Sequence, residues 1–335
     1  MITRLFHAWE RRLANVTTDR VVRDFEWGLD WIGDQNGGTP LPHDRLREWS
    51  KDVLDDSERF FHTPPTDEYE LQDSTLSFPS HLETPHPENN TVYGRYFPAA
   101  DSSRKSAVVV LPQWNAGPDA HLGLSRLIAR AGISSLRLSL PYHDDRMPPE
   151  LSRADYIVSA NLGRTLQVCR QAVLDTRRAV HWLSAQGYER IGIVGTSLGS
   201  CLAMLTAAHE PQISAAALNH ISPYFADVVW EGLSTAHVRA GLDGAIDLEQ
   251  LRQLWLPISP EPYIQRLKGK QVLLVYARYD LSFPVHLSRQ LVREFREREV
   301  PHRVFVLPCG HYSTGVAPFS WMDGYAMVTF LRRAL

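Results

Sequence analysis

From Ala107 onward the chain repeats one pattern, a short apolar run followed by a stretch with helical spacing. The runs are Ala107–Leu111, Ile133–Leu140, Ile191–Gly195, Ile213–Leu218, Gln271–Ala277 and Arg303–Leu307. Helical spacing covers Ala120–Ala131, Asn161–Gln186, Leu198–His209, Val285–Arg298 and Phe319–Arg333. Short runs with little polar alternation are strands covered on both faces, and helices between them make parallel crossovers. The fold class is therefore read as α/β, a mostly parallel central sheet flanked by helices. Ser222–Gly269 breaks the alternation with short amphipathic pieces and the aromatics Tyr224, Phe225, Trp230, Trp255 and Tyr263. This stretch (222–269) is read as a helical cap inserted above the sheet, inside a main domain spanning 63–335.

The first 62 residues read as a helical N-terminal extension. Ile2, Leu5, Phe6, Trp9, Leu13 and Val16 share one helical face, and Val21, Val22, Phe25, Leu29 and Ile32 repeat the spacing. A third helix carries Leu46, Trp49, Val53 and Leu54, separated from the second by the breaker Gly37-Gly38-Thr39-Pro40. Without a Lys-rich polar face, the first helix is expected to pack on the body or on a partner subunit rather than lie on a membrane. A homodimer through these helices is one arrangement that this allows. Thr63–Asn90 is rich in proline and polar residues and reads as a surface connection with a short strand at Leu76–Phe78. Thr91–Phe97 alternates and reads as an edge strand.

The sharpest local signal is Gly195-Thr196-Ser197-Leu198-Gly199, between the apolar run IGIVG and the small-residue helix that begins Ser200-Cys201-Leu202-Ala203. A serine on a tight strand-to-helix turn must adopt a strained backbone, and flanking glycines let strand and helix approach without Cβ clashes. Its hydroxyl then projects from the carboxyl end of the sheet, beside the Leu198 N–H and the helix N-terminus. A phosphate-binding turn is the competing reading of such glycines. The chain has neither a G-x-G-x-x-G nor a Gly-Lys-Ser/Thr sequence at this place.

This motif in its strand–helix setting resembles the α/β-hydrolase superfamily over about residues 91–335. The resemblance implies an acid after a later strand and a histidine after the last one. Asp280, beyond Gln271–Tyr276 in Ala277-Arg278-Tyr279-Asp280, and His311, beyond Arg303–Leu307 in Pro308-Cys309-Gly310-His311, fill those places in the expected chain order. The implied catalytic set is Ser197, Asp280 and His311, with the cap residues Asp227, Asp243 and Asp247 as fallback acids. Serine is a poor nucleophile at neutral pH, so His311 would take its proton while Asp280 holds the ring. Two oxyanion donors are also implied: the Leu198 N–H and an amide after AVVVL, at Trp114 or alternatively Gln113. The family often has His-Gly at that turn, whereas this chain has Pro112-Gln113-Trp114-Asn115-Ala116-Gly117.

Pro141-Tyr142-His143-Asp144-Asp145-Arg146 is loosely similar to a loop of dienelactone-hydrolase-like and acetyl-xylan-esterase-like branches. Tyr142 and His143 on that loop, His220 after Ile213–Leu218, and Tyr224 and Trp230 in the cap are the candidate substrate contacts. His220 reads equally well as a satisfied structural histidine. No metal is expected, because adjacent His143, Asp144 and Asp145 cannot easily face one ion. No cofactor is expected either. With 35 Lys+Arg against 38 Asp+Glu the net charge is −3, which argues against a nucleic-acid partner.

No apolar run reaches the roughly 18 residues of a membrane span, and Met1–Arg12 has charges where a signal peptide needs an apolar block. Cys169, Cys201 and Cys309 are an odd, scattered set without a disulfide framework. Together these readings give a cytoplasmic protein with free thiols. The expected activity is that of a carboxylesterase-type serine hydrolase acting on a small-molecule ester through an acyl-enzyme, its aromatic cap enclosing an apolar portion of the substrate. A lactone, thioester or amide hydrolase with the same triad is the nearest alternative. A non-catalytic binding protein on the same fold is the alternative from another class.

Overall fold

A computed structural model describes residues 1–34, 40–101 and 103–335. The Gly37-Gly38-Thr39 part of the expected breaker lies outside them. The helices are α1 (Ile2–Ala14), α2 (Pro42–Asp55), α3 (Ser57–Phe60), α4 (Leu122–Arg130), α5 (Leu162–Ala185), α6 (Leu198–His209), α7 (Phe225–Glu231), α8 (Ala236–Leu242), α9 (Leu248–Leu254), α10 (Val285–Glu297) and α11 (Phe319–Ala334). The strands are β1 (Glu70–Gln72), β2 (Thr75–Pro79), β3 (Thr91–Phe97), β4 (Ser106–Leu111), β5 (Ser134–Leu138), β6 (Arg190–Thr196), β7 (Ile213–Asn219), β8 (Gln271–Ala277) and β9 (Arg303–Leu307). They form one sheet in the order β1-β2-β3-β5-β4-β6-β7-β8-β9. From β5 to β9 every pairing is parallel, and β1 to β3 join antiparallel at one end.

The alternation of the buried runs is visible in β4. Ala107, Val109 and Leu111 enter the core beneath α5 and α6, while Val108 and Val110 enter the core on the opposite face with α11 residues Met327, Val328 and Leu331. A sheet covered on both faces needs such continuous apolar strands, so β4 is buried at every position.

Two expectations about local structure are corrected. Val21–Ile32 does not form a helix, apart from a 3-10 turn at Leu29–Ile32. Its backbone instead pairs with the segment leading into α5, through Glu26 N–H to Ala160 O, Leu162 N–H to Glu26 O and Gly163 N–H to Trp27 O. These bonds satisfy amides at the start of α5, so tertiary pairing overrides the helical spacing. Thr91–Phe97 is a strand but not an edge, because the β1–β2 hairpin from the proline-rich connection pairs outside it.

The segment 222–269 carries α7, α8 and α9 with 3-10 turns at Leu256–Ile258 and Glu261–Leu267, and packs over α6. Asp247 closes α9 with a reciprocal capping box to Gln250. Asp227 is held by Arg252 and Asp243 by Arg239. All three fallback acids are thus engaged within this segment.

The loop after β5 is tied down by Arg146, which is fully buried. Its guanidinium donates to Asn89 O, Ser139 O and the Asp175 carboxylate at 2.9 Å, and Asp175 also accepts from Ser80 Oγ at 2.7 Å. Asp175→Ala would leave that charge buried without a partner and should cost about 3–5 kcal/mol. Urea unfolding should show it as a lowered midpoint at unchanged slope.

Candidate active site

The parallel register brings the carboxyl ends of β6, β7, β8 and β9 side by side. Thr196 is level with Asn219, Asn219 with Val275, and Ala277 with Leu307. The residues just beyond those ends are Ser197, His220, Asp280 and His311. Ligands of open α/β sheets gather outside such ends.

Ser197 has φ 57° and ψ −122°, a conformation that L-residues rarely adopt, and its N–H is fixed to Asn219 O at 2.8 Å. The flanking glycines are required by space. A Cβ on Gly195 would lie 2.1 Å from Gly199 O, and one on Gly199 would lie 2.4 Å from both Leu111 O and Pro112 O. The strain is held by the packing of β4, β6 and α6 around the turn. Ser197 sits at the start of α6, where unpaired amides and the helix dipole favour negative charge.

Asp280 is almost fully buried, and all its acceptor capacity points at donors. Oδ1 accepts the Ser282 and Phe283 N–H groups at 2.8 and 2.7 Å. Oδ2 faces His220 Nδ1 at 2.8 Å and His311 Nδ1 at 3.2 Å. Facing a carboxylate oxygen, each Nδ1 carries the ring proton and donates, which leaves each Nε2 with its lone pair. Burial alone would raise the Asp280 carboxyl, but the His311 charge and the two imidazole hydrogen bonds hold it well below the usual range. Burial lowers His220, assisted by the neighbouring His311 charge. For His311, burial acts downward, yet the Asp280 charge and hydrogen bond, with Glu10 behind them, raise it above the ordinary imidazole value.

The two rings lie 4.5 Å apart between centroids, and Phe283 stacks on His311 at 5.4 Å. His220, Asp280 and His311 are also a donor set of the kind that ligates divalent ions, their atoms lying within 4.8 Å of one another.

Ser197, His220 and His311 line one cavity of about 830 Å³. Gln113, Trp114 and His121 form part of its wall, as does Asp323 on α11. Burial pushes Asp323 up to about 7 against the opposing hydrogen bond from Asn219, and pushes His121 down to about 4. A second, narrow recess of about 40 Å³ opens beside Ser197 and Leu198, walled by Trp114, Phe225, Val228 and Phe283.

The expected substrate contacts divide sharply. His220 lines the large cavity, whereas Tyr142, His143, Tyr224 and Trp230 line neither. Tyr142 is buried with its hydroxyl on His86 Nδ1 at 3.0 Å. His143 is buried between Pro141 O and the Asn115 N–H, at 2.9 Å from each. It therefore accepts from the loop that carries Gln113 and Trp114 and holds that loop in place. Tyr224 and Trp230 are covered by Arg252 and Arg239 respectively. The Trp114 side chain is committed as a wall, donating to Ala154 O and stacked on His237.

The sequence reading gave no role to Glu10, which reaches the His311 loop from α1. Nor did it pair His220 with Asp280. The signal for His220 was available, since the strand between the serine strand and the acid strand must end beside both.

Residues 80–239 match a family model described as "Alpha/beta hydrolase domain containing 18", a span that holds Ser197 but neither Asp280 nor His311. The chain is similar in structure to the acylaminoacyl peptidase of Pyrococcus horikoshii, at 15 % identity and TM-score 0.61. That likeness covers 81 % of this chain and 42 % of the peptidase, so the chain spans well under half of that protein. It is similar to acetyl xylan esterase 1 from Thermoanaerobacterium sp. JW/SL YS485, at 17 % identity and TM-score 0.60 over 92 % of this chain and 99 % of the esterase. It is likewise similar to the acetyl xylan esterase from Paenibacillus sp. R4, at 15 % identity and TM-score 0.62 over 91 % and 98 %. At these identities the likeness is one of fold. None of the described helices is long and apolar enough to cross a membrane. By its sheet order, its strained Ser197 turn and these matches, the chain has the α/β-hydrolase fold.

Proposed function

We propose that the protein is a serine hydrolase that cleaves a carboxylic ester through an acyl-enzyme, with Ser197 as nucleophile, His311 as general base and Asp280 orienting the imidazole. The observation that carries this reading is a strained, cavity-lining Ser197 facing the same space as His311, whose Nδ1 is held on Asp280. His311 Nε2 takes the Ser197 proton as Oγ attacks the ester carbonyl. The tetrahedral oxyanion is stabilised by the Leu198 N–H at the start of α6, with the Trp114 or Gln113 amide as second donor. The protonated ring then gives its proton to the departing alkoxide. Water repeats the sequence on the acyl-enzyme and releases the acid. The narrow apolar recess by Val228 and Phe225 takes the acyl group, and the larger cavity takes the alcohol portion. Lactones, thioesters and amides could undergo the same steps.

His311 rather than His220 is assigned as the base, although His220 lies nearer to Asp280. Charge is favoured on His311 and disfavoured on the more deeply buried His220. Labelling with a fluorophosphonate, followed by intact mass, should add one adduct to the wild type and none to Ser197→Ala. A well-folded wild type that takes no label and turns over no p-nitrophenyl ester would instead favour a binding protein.

His311→Ala and Asp280→Asn should each lower kcat by at least roughly 10³-fold, because the three residues act as a unit. His220→Asn should cost far less; the reverse order would make His220 the base. The base must be neutral to act, so kcat/KM should fall as pH drops, with its midpoint above the ordinary imidazole value because His311 is raised. Val228→Trp should narrow the recess and depress kcat/KM for butyryl esters more than for acetyl esters. An equal loss on both would place the acyl group elsewhere.

A further inference from the structure

Helix α1 is amphipathic, with Ile2 and Leu5 exposed and Arg11 and Arg12 in its last turn, yet its Glu10 is fully buried. The carboxylate meets residues some three hundred positions away. Oε2 accepts the Tyr312 N–H at 2.8 Å, and Oε1 accepts the Ser313 N–H at 2.9 Å and the Ser313 hydroxyl at 2.6 Å. The Ser313 hydroxyl oxygen in turn accepts the Gly310 N–H at 2.9 Å. Both neighbours of His311 in the chain therefore have their amides fixed by Glu10, one directly and one through Ser313.

Gly310 is glycine for the same reason. A Cβ there would lie 2.2–2.5 Å from the Glu10 side chain. The helix also bears on the other loop of the pair. Phe6 stacks flat on Tyr279, next to Asp280, with centroids 4.5 Å apart. Just beyond the helix, Arg20 donates to Ala14 O and to the Tyr312 hydroxyl, both at 3.0 Å.

The hydrogen-bond partners of Glu10 are all neutral donors, so the buried anion has no fixed counter-charge among them. Such burial is costly. The cation that can form close by is the His311 imidazolium, the charge that develops when the base takes the serine proton. We propose that α1 is a working part of the active site and that Glu10 is the positioning residue for His311, fixing its loop and placing a negative charge behind the ring. This rests on the reading of Ser197, His311 and Asp280 as a hydrolytic set. A displaced α1 would leave Ser197 intact but its base loosely held.

Glu10→Gln in the full chain tests this, because it keeps the shape, removes the charge and turns one acceptor into a donor against the Tyr312 N–H. Expected is a kcat lower by about tenfold or more with KM changed by less than about twofold. Glu10→Asp should recover part of the loss. In an NMR titration the His311 midpoint should move to lower pH, since a charge that favours the imidazolium is gone. The other groups facing that ring or its loop remain in place: Asp280 and His220 from the β8 and β7 ends, Tyr312 and Cys309 on the loop, Arg20, and Asp323 on α11. Loss of a merely structural contact would lower stability without moving that midpoint.

A folded Glu10→Gln protein with wild-type kcat and an unmoved His311 midpoint would overturn the proposal. If Glu10→Gln does not fold, Ser313→Ala removes the hydroxyl relay between Glu10 and Gly310 and leaves the Tyr312 and Ser313 N–H bonds to Glu10 in place. It should lower kcat by a smaller factor, and wild-type turnover there would overturn the proposal equally. A wild type that takes no fluorophosphonate label would remove the hydrolase reading. The NMR arm would then still test whether Glu10 governs His311.

Discussion

The Asp280 carboxylate is the interaction around which the site is organised. One oxygen is held by the backbone amides of Ser282 and Phe283, and the other by two imidazoles. Donors on every side keep the group ionised despite its burial. That anion sets the tautomer of both histidines, so the lone pairs of both rings are directed away from it. The proposed general base depends on this polarity. Were Asp280 neutral, His311 would lose both its preferred tautomer and the charge that favours its imidazolium.

The sheet delivers this arrangement because parallel strands in register end on one line. Ser197, His220, Asp280 and His311 come from four successive positions across the sheet, and each lies within a few residues of its strand end. The adjoining loops are fixed by side chains that do not touch the cavity chemistry. His143 accepts from Asn115 and braces the loop with Gln113 and Trp114. Arg146 and Asp175 brace the loop after β5 against α5. Phe225 and Val228, from the segment 222–269, line the narrow recess on the apolar side.

Much of this was legible in the residues. The buried runs, the helices between them and the glycine-flanked Ser197 all have local causes, namely apolar continuity, helical spacing and the absence of a Cβ where backbones touch. Asp280 and His311 were found through the resemblance, and the structure brings both beside His220. Less was legible for the substrate contacts. Tyr142 and His143 follow a strand end, as wall residues do, but the left-handed backbone at Tyr142 (φ 63°) accompanies side chains turned into the core. Trp230 and Tyr224 have the composition of a lid, and arginines cover them.

The sequence by itself determined the α/β alternation, the strained serine turn and the order of the residues around it, because each depends on neighbours within one strand–turn–helix unit. Only the tertiary structure decided that Val21–Ile32 runs extended against the start of α5 and that Thr91–Phe97 is an inner strand. It alone decided that His220 shares Asp280 and that Glu10 closes the His311 loop. Those outcomes rest on hydrogen bonds between segments far apart in the chain. A buried carboxylate on an amphipathic helix looks solvated until its partners arrive, so its place could be read only once the chain had folded around it.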